Sequence, residues 1–317
     1  MTVGHVDDLE TDVDDHGDGT DRPEDDVTIH WWREIAYIVG FYAIYTLVRN
    51  QFGSAAVGTV HAFHNAVRVI DLEKALGLFH EATIQGWFLG EPWVLRALNI
   101  FYGSFHFVVP AAVLVWLAAR HPRDYPTWRN TILIGTGLAL IGFSLFPLMP
   151  PRLLCDCAYG AGPAAGADGL PHFVDTLASY GGLWSFSNST MQSISNQYAA
   201  MPSLHFGWAL WCALVLVPRV RHHWAKALAA AYPVVTLLTI IVTGNHYWLD
   251  AVGGAAVIGL GWLIGSRLAT LMVKRHRGGG TVTPDSPVPT SPSEPAAPSL
   301  GPDPSPSPRT GKEPAAS

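Results

Sequence analysis

Long apolar runs alternate with short polar breaks through the middle of the chain. Six of them approach the roughly twenty residues needed to cross hydrocarbon. They cover about Arg33–Arg49, Pro92–Ala119, Thr131–Met149, Met201–Val217, Ala225–Thr243 and Tyr247–Met272. Each predicts a membrane-spanning helix, the first of them a short one. The stretch Val60–Leu89 follows another rule. Val60, Phe63, Val67 and Ile70 recur at helical spacing while Arg68, Asp71, Glu73 and Lys74 interrupt them. That pattern predicts an amphipathic helix lying at the membrane surface or partly re-entrant.

The ends carry no periodicity. Residues 1–30 include DDLETDVDDHGDGTDRPEDD, which cannot bury enough apolar area to offset chain entropy. Residues 278–317 are rich in Pro, Ser, Thr and Gly. Both read as disordered cytoplasmic tails flanking a membrane domain at residues 31–277. The fold class is therefore all-α: a polytopic membrane protein with six transmembrane helices, an added amphipathic interfacial helix and two disordered tails. The acidic N-terminal run is no basic n-region, so no cleavable signal peptide is expected.

Composition fits this reading. Of the 317 residues 49% are hydrophobic and only 14% charged, too little polar surface for a water-facing domain. Twelve tryptophans and ten tyrosines suit a chain with two membrane–water interfaces to line. Much of the net charge of −6 comes from the N-terminal run, and nothing supports nucleic-acid binding. Three cysteines make no disulfide framework. Cys155 and Cys157 fall in a loop and are bridged or free; Cys212 reads as a small core residue.

Charge sets the orientation. Arg120, Arg123 and Arg129 lie between spans two and three, Arg219, Arg221 and Lys226 between spans four and five, and Lys274, Arg275 and Arg277 after span six. Basic residues collect in cytoplasmic loops, so these connections and both termini face inward. The loop Pro151–Ala200 holds one basic residue, Arg152, and faces outward.

On that outer side three polar stretches meet the span ends: FPLMPPR, AAMPSLH and TGNHYWLD. His246 and Asp250, four apart, share a helix face, so the carboxylate can fix one ring nitrogen and leave the other as nucleophile. Pro202 suits a first helical position and Ser203 can donate a hydroxyl hydrogen bond. His205 is placed to protonate a leaving oxygen, and Arg152 offers a fork for two phosphate oxygens. Helix N-termini add an electropositive cradle. The set suffices for phosphoryl transfer with no metal or other cofactor. Other polar residues have simpler readings. His106 in FYGSFHF reads as a hydrogen-bonded packing histidine or as one that approaches the site from a neighbouring helix, His61 and His64 are interfacial, and Gly253 and Gly254 allow close helix approach.

MPSLH and GNHYWLDA resemble the second and third motifs of the type 2 phosphatidic acid phosphatase superfamily. More narrowly they resemble its inositol phosphorylceramide synthase-like branch, bacterial relatives included. The similarity runs from about Ile35 to Thr270 and takes in FPLMPPR and DLEKALGLFHEA. The resemblance implies a six-helix core, a phospholipid or isoprenoid-phosphate substrate and a phosphohistidine intermediate. By motif position His246 would be the nucleophile, Asp250 its partner and His205 the acid, with Ser203 and Arg152 holding phosphate. Departures from the wider pattern are Leu145 and Ile240 in the places of a lysine and an arginine, and Leu204 in that of a glycine. They favour the synthase-like branch, with Arg96 or Lys74 as candidate replacement cations.

The phosphoenzyme could pass to water or to a second alcohol, and no residue identifies the acceptor. Two other classes compete. A zinc hydrolase would use His205, His246 and Asp250 as ligands, yet His-Glu-x-x-His is missing. A transporter with a histidine proton relay would call for inverted repeats and mid-span carboxylates, and neither is evident.

Overall fold

The structure, a computed structural model, describes residues 31–52, 59–154, 172–182 and 197–278. Residues 1–30, residues 279–317 and the pair Cys155 and Cys157 lie outside them. Among the described residues the chain is all-helical, with one isolated backbone bridge, Leu148 with Ala199. The helices are α1 (Trp31–Phe52), α2 (Thr59–Ala75), α3 (Glu81–Phe88), α4 (Pro92–Arg120) and α5 (Tyr125–Leu145). A 3₁₀ turn at Pro151–Leu153 follows, then α6 (Thr176–Tyr180), α7 (Leu204–Leu216), α8 (His223–Val242) and α9 (Trp248–Gly278).

Among the described residues three helices are long and apolar enough to cross a membrane: α4, α8 and the Trp248–Leu268 part of α9. Their outer faces carry Val108, Val115, Leu228, Val234 and Val252, each more than 60% exposed. A face of that kind suits lipid rather than water.

Two element boundaries differ from expectation. The third apolar run continues to Met149, but its helix stops at Leu145. Pro147, Pro150 and Pro151 cannot extend a helix, and the segment instead pairs alongside residues 198–199, with Leu148 N–H donating to the Tyr198 carbonyl at 2.8 Å. The fourth helix starts at Leu204 rather than Met201. Ser203 is its N-cap, accepting from the Phe206 N–H at 3.4 Å, so Pro202 lies outside the helix instead of in its first turn.

The amphipathic stretch is two helices. Gly77, at φ 69°, turns the chain between α2 and α3 in a conformation that side chains resist. Phe63 and Ile70 are buried as their spacing predicts, whereas Val60 is exposed and Glu73 fully buried. Glu73 therefore belongs to the inner face, and its partners appear below.

Three polar links gather the basic connections at one end of the bundle. Arg219 donates to Asp124 at 2.9 and 2.7 Å, tying the α7–α8 connection to the start of α5. Glu34 of α1 accepts from Tyr125 at 2.9 Å and pairs with Arg129. An apolar core of Val113, Leu117, Ile132, Trp211, Val215 and Ile258 fills this half. A second core, with Phe63, Ile70, Leu148, Met149, Leu153, Phe173 and Tyr247, fills the other. There α2, α3 and the 3₁₀ turn close over the beginnings of α7 and α9.

Candidate active site

The turn between α8 and α9 builds the centre of the site. Helix α8 ends at Val242, and Gly244, at φ 65°, reverses the chain so that the Asn245 and His246 N–H groups return to the Ile240 carbonyl at 3.0 and 3.2 Å. A Cβ at Gly244 would also press on Gln85 and Arg152. His246 thus precedes α9 instead of lying on it. Its four-residue spacing to Asp250 works through the first turn: Asp250 Oδ2 accepts from the Tyr247 N–H at 2.9 Å, as in a capping box, and meets His246 Nδ1 at 3.2 Å.

On its other edge, His246 Nε2 lies 3.4 Å from His205 Nδ1. The three side chains form a line, carboxylate to imidazole to imidazole. With Nδ1–H donated to Asp250, His246 Nε2 keeps a lone pair, and the proton between the rings sits on His205 Nδ1. His205 Nε2 and Asp250 Oδ1 are buried without a partner among the described residues.

Helices α7 and α9 meet because Gly254 lets them. A Cβ there would land on the Ser203 carbonyl oxygen. The Ser203 N–H donates to the Asp250 carbonyl at 2.8 Å, so the cap of α7 is fastened to the first turn of α9. Ser203 is fully buried; its oxygen accepts from Phe206 and its proton remains available to donate.

Arg152 follows from the 3₁₀ turn. Its N–H donates to the Gly244 carbonyl at 2.8 Å, its Nε to Asn245 Oδ1 at 3.0 Å, and its Nη1 to Asp175 Oδ2 at 2.8 Å. The guanidinium is therefore beside the His246 turn but committed to Asp175, the N-cap of α6. Gln85 bridges the Val174 carbonyl and N–H to the Val242 carbonyl, and Asn99 holds α6 through the Thr176 and Gly181 carbonyls.

Of the two readings the sequence left for His106, the approach to the site from a neighbouring helix is the one seen, and Tyr102 joins it unforeseen. Both touch the site. Tyr102 stacks on His205, centroids 4.1 Å apart and planes 14° apart, and His106 lies 4.0 Å from the same ring. His106 Nδ1 donates to the Tyr102 carbonyl at 2.7 Å. A narrow pocket lined by Tyr102, His106, His205, Tyr232, Thr236 and Ile240 opens beside them. Tyr102 and His106 are four apart in FYGSFHF, one helix face, which is the signal that could have found Tyr102.

The departures from the wider pattern also resolve. Leu145 is 77% exposed on the outside of α5, so a cation there would point away from His246. Ile240 is buried and lines the pocket. Neither Lys74 nor Arg96 takes over: both are exposed, and Lys74 lies over the Phe79 ring. Among the described residues no three His, Cys, Asp or Glu side chains are grouped to hold a metal ion.

A family model described as the PAP2 superfamily matches residues 67–264, well over half of the chain. No curated protein and no solved structure matches.

Proposed function

We propose a function from one premise: the chain belongs to the PAP2 superfamily. It is a membrane-embedded lipid phosphatase or lipid phosphotransferase that works through a phosphohistidine. The observation that supports this most directly is the line Asp250–His246–His205, with 3.2 and 3.4 Å between successive polar atoms.

His246 Nε2 attacks phosphorus while the ester P–O bond breaks, and Asp250 stabilises the positive charge that develops on the ring. The His205 proton passes to the leaving oxygen. Water or an alcohol then attacks the phosphohistidine, the N–P bond breaks, and His205 takes the proton back. Ser203 and Arg152 hold the phosphate oxygens, Arg152 exchanging its contact with Asp175 for the substrate.

In this reading α1, α4, α5, α7, α8 and α9 are six spans, α2 and α3 lie at the interface, and both termini are cytoplasmic in the plasma membrane. Arg120, Arg123, Arg219 and Arg221 mark the cytoplasmic end, so the site faces outward. Leu145 and Ile240 favour the synthase-like branch, in which a phospho-headgroup such as phosphoinositol passes to a lipid or polyol acceptor.

The test uses the full chain in detergent with labelled phosphatidate or a labelled phosphoinositol lipid, adding water alone or inositol. We expect product formation that vanadate blocks, that chelators leave intact, and that His246→Ala abolishes. Full activity in His246→Ala would rule the scheme out.

A further inference from the structure

The segment DLEKALGLFHEA carries two buried acidic residues that the chemistry above does not use. Glu73, near the end of α2, and Glu81, the first residue of α3, are both fully buried. They sit beneath the first turn of α9. Glu73 Oε1 accepts from the Leu249 N–H at 2.8 Å, and Glu81 Oε1 accepts from the Trp248 N–H at 3.4 Å. Asp250 takes the Tyr247 N–H. Three successive free N–H groups at the start of α9 are thus capped by three carboxyls from three helices.

Each glutamate leaves its second oxygen, Oε2, buried with no donor from any other described residue. Two ionised carboxylates facing each other in that position would repel and lack hydrogen bonds. One proton between them removes both problems, since a protonated carboxyl donates to its neighbour.

We propose that Glu73 and Glu81 share one proton and form a positioning pair for His246. They fix the first turn of α9 so that the His246–Asp250 unit faces His205. This rests on the phosphohistidine reading. Neither glutamate touches the substrate. Their effect runs through the backbone of Trp248 and Leu249, the two residues that separate Tyr247 from Asp250.

The electrostatics agree. Burial first, then the hydrogen bond with Glu81, pushes the Glu73 carboxyl up to about 9, and the charges of Glu81 on α3 and Asp250 on α9 push the same way against the Leu249 N–H. The pair therefore holds a proton at neutral pH.

Glutamine distinguishes this pair from a simple charge. Its amide accepts from Leu249 and donates to Glu81, as a protonated Glu73 does. In detergent with labelled phosphatidate, Glu73→Ala should lower kcat about 100-fold, the scale expected when a reacting group is displaced by an ångström, while KM stays within about threefold. Glu73→Gln should keep most of the wild-type kcat.

Infrared difference spectra of the same full-length proteins provide a readout independent of activity. A protonated-carboxyl band should be present at neutral pH in wild type, vanish as pH rises through about 9, and be missing in Glu73→Gln. Glu73→Gln as impaired as Glu73→Ala, or no band that Glu73→Gln removes, overturns the proposal. If Glu73→Ala does not fold, the Gln variant and the band decide it. Wild type without His246-dependent phosphate release instead sinks the functional reading, while the band still reports the shared proton.

Discussion

His246 Nε2 and His205 Nδ1 stand 3.4 Å apart, close enough for one proton to lie between them. A phosphorus atom cannot occupy that gap. Substrate must part the two rings, and His205 would have to shift against Tyr102 and His106, since His246 is fixed by Asp250 and by the turn at Gly244.

This separates the two histidines kinetically. His246→Ala should yield no phosphoenzyme from any ester. His205→Ala should slow phosphatidate turnover by about 10²–10⁴-fold, the range for a lost general acid. The deficit should shrink with para-nitrophenyl phosphate, whose leaving group needs no proton. Equal losses on both substrates would assign His205 another task.

Asp250→Asn keeps the shape but surrenders the charge that fixes the His246 tautomer. Because Asp250 Oδ2 also receives the Tyr247 N–H, the amide nitrogen could displace either bond. We expect turnover to fall by roughly 10⁴-fold, as when the orienting carboxylate of a catalytic histidine is neutralised. Rapid-quench measurement of the phosphoenzyme checks this.

Arg152 is a fork held by Asn245 and Asp175. Lysine supplies charge without the fork, so Arg152→Lys should weaken binding by about 10- to 100-fold, equivalent to one charged hydrogen bond. Competition by vanadate gives that affinity directly. An unchanged vanadate constant would remove Arg152 from the phosphate site.

Stability should depend on pH through Glu73. Folding raises this carboxyl from its ordinary range to about 9, so the folded state holds the proton more tightly than the unfolded state. The resulting stability is fully present below the ordinary carboxyl pKa and is lost as pH rises through about 9. Thermal midpoints in detergent should decline over that window in wild type and flatten in Glu73→Gln.

Gly254→Ala tests the α7–α9 contact, because its methyl group would fall on the Ser203 carbonyl. Overpacking of this kind costs about 1–3 kcal/mol. Both the thermal midpoint and turnover should drop, and a drop in neither would mean that the helices move apart freely.

Much of this molecule could be read from local pattern. The long helices α4, α8 and α9 follow from their apolar runs, and the proximity of His246 to Asp250 from their spacing. The misplaced boundaries had local causes that the apolar runs concealed, namely the prolines after Leu145 and the Ser203 cap. Other features were not legible because they arise between distant segments. Asp175 reaches Arg152 across the loop, and the Tyr102 ring stacks on His205 from another helix. Glu73 reads only as an interruption of the apolar repeat because its capping partner, Leu249, is 176 residues away.

The thirteen residues of α7 have a consequence for what can be a substrate. At 1.5 Å per residue the helix is about 20 Å long, some 10 Å short of the hydrocarbon thickness. If its far end sits at one headgroup layer, Ser203 and His205 lie beneath the opposite one. A phosphate anchored to acyl or prenyl chains can reach that depth by sinking with them, whereas a freely diffusing sugar phosphate would have to leave the aqueous phase. Selection for amphiphiles would then begin with depth, before any side chain reads the headgroup.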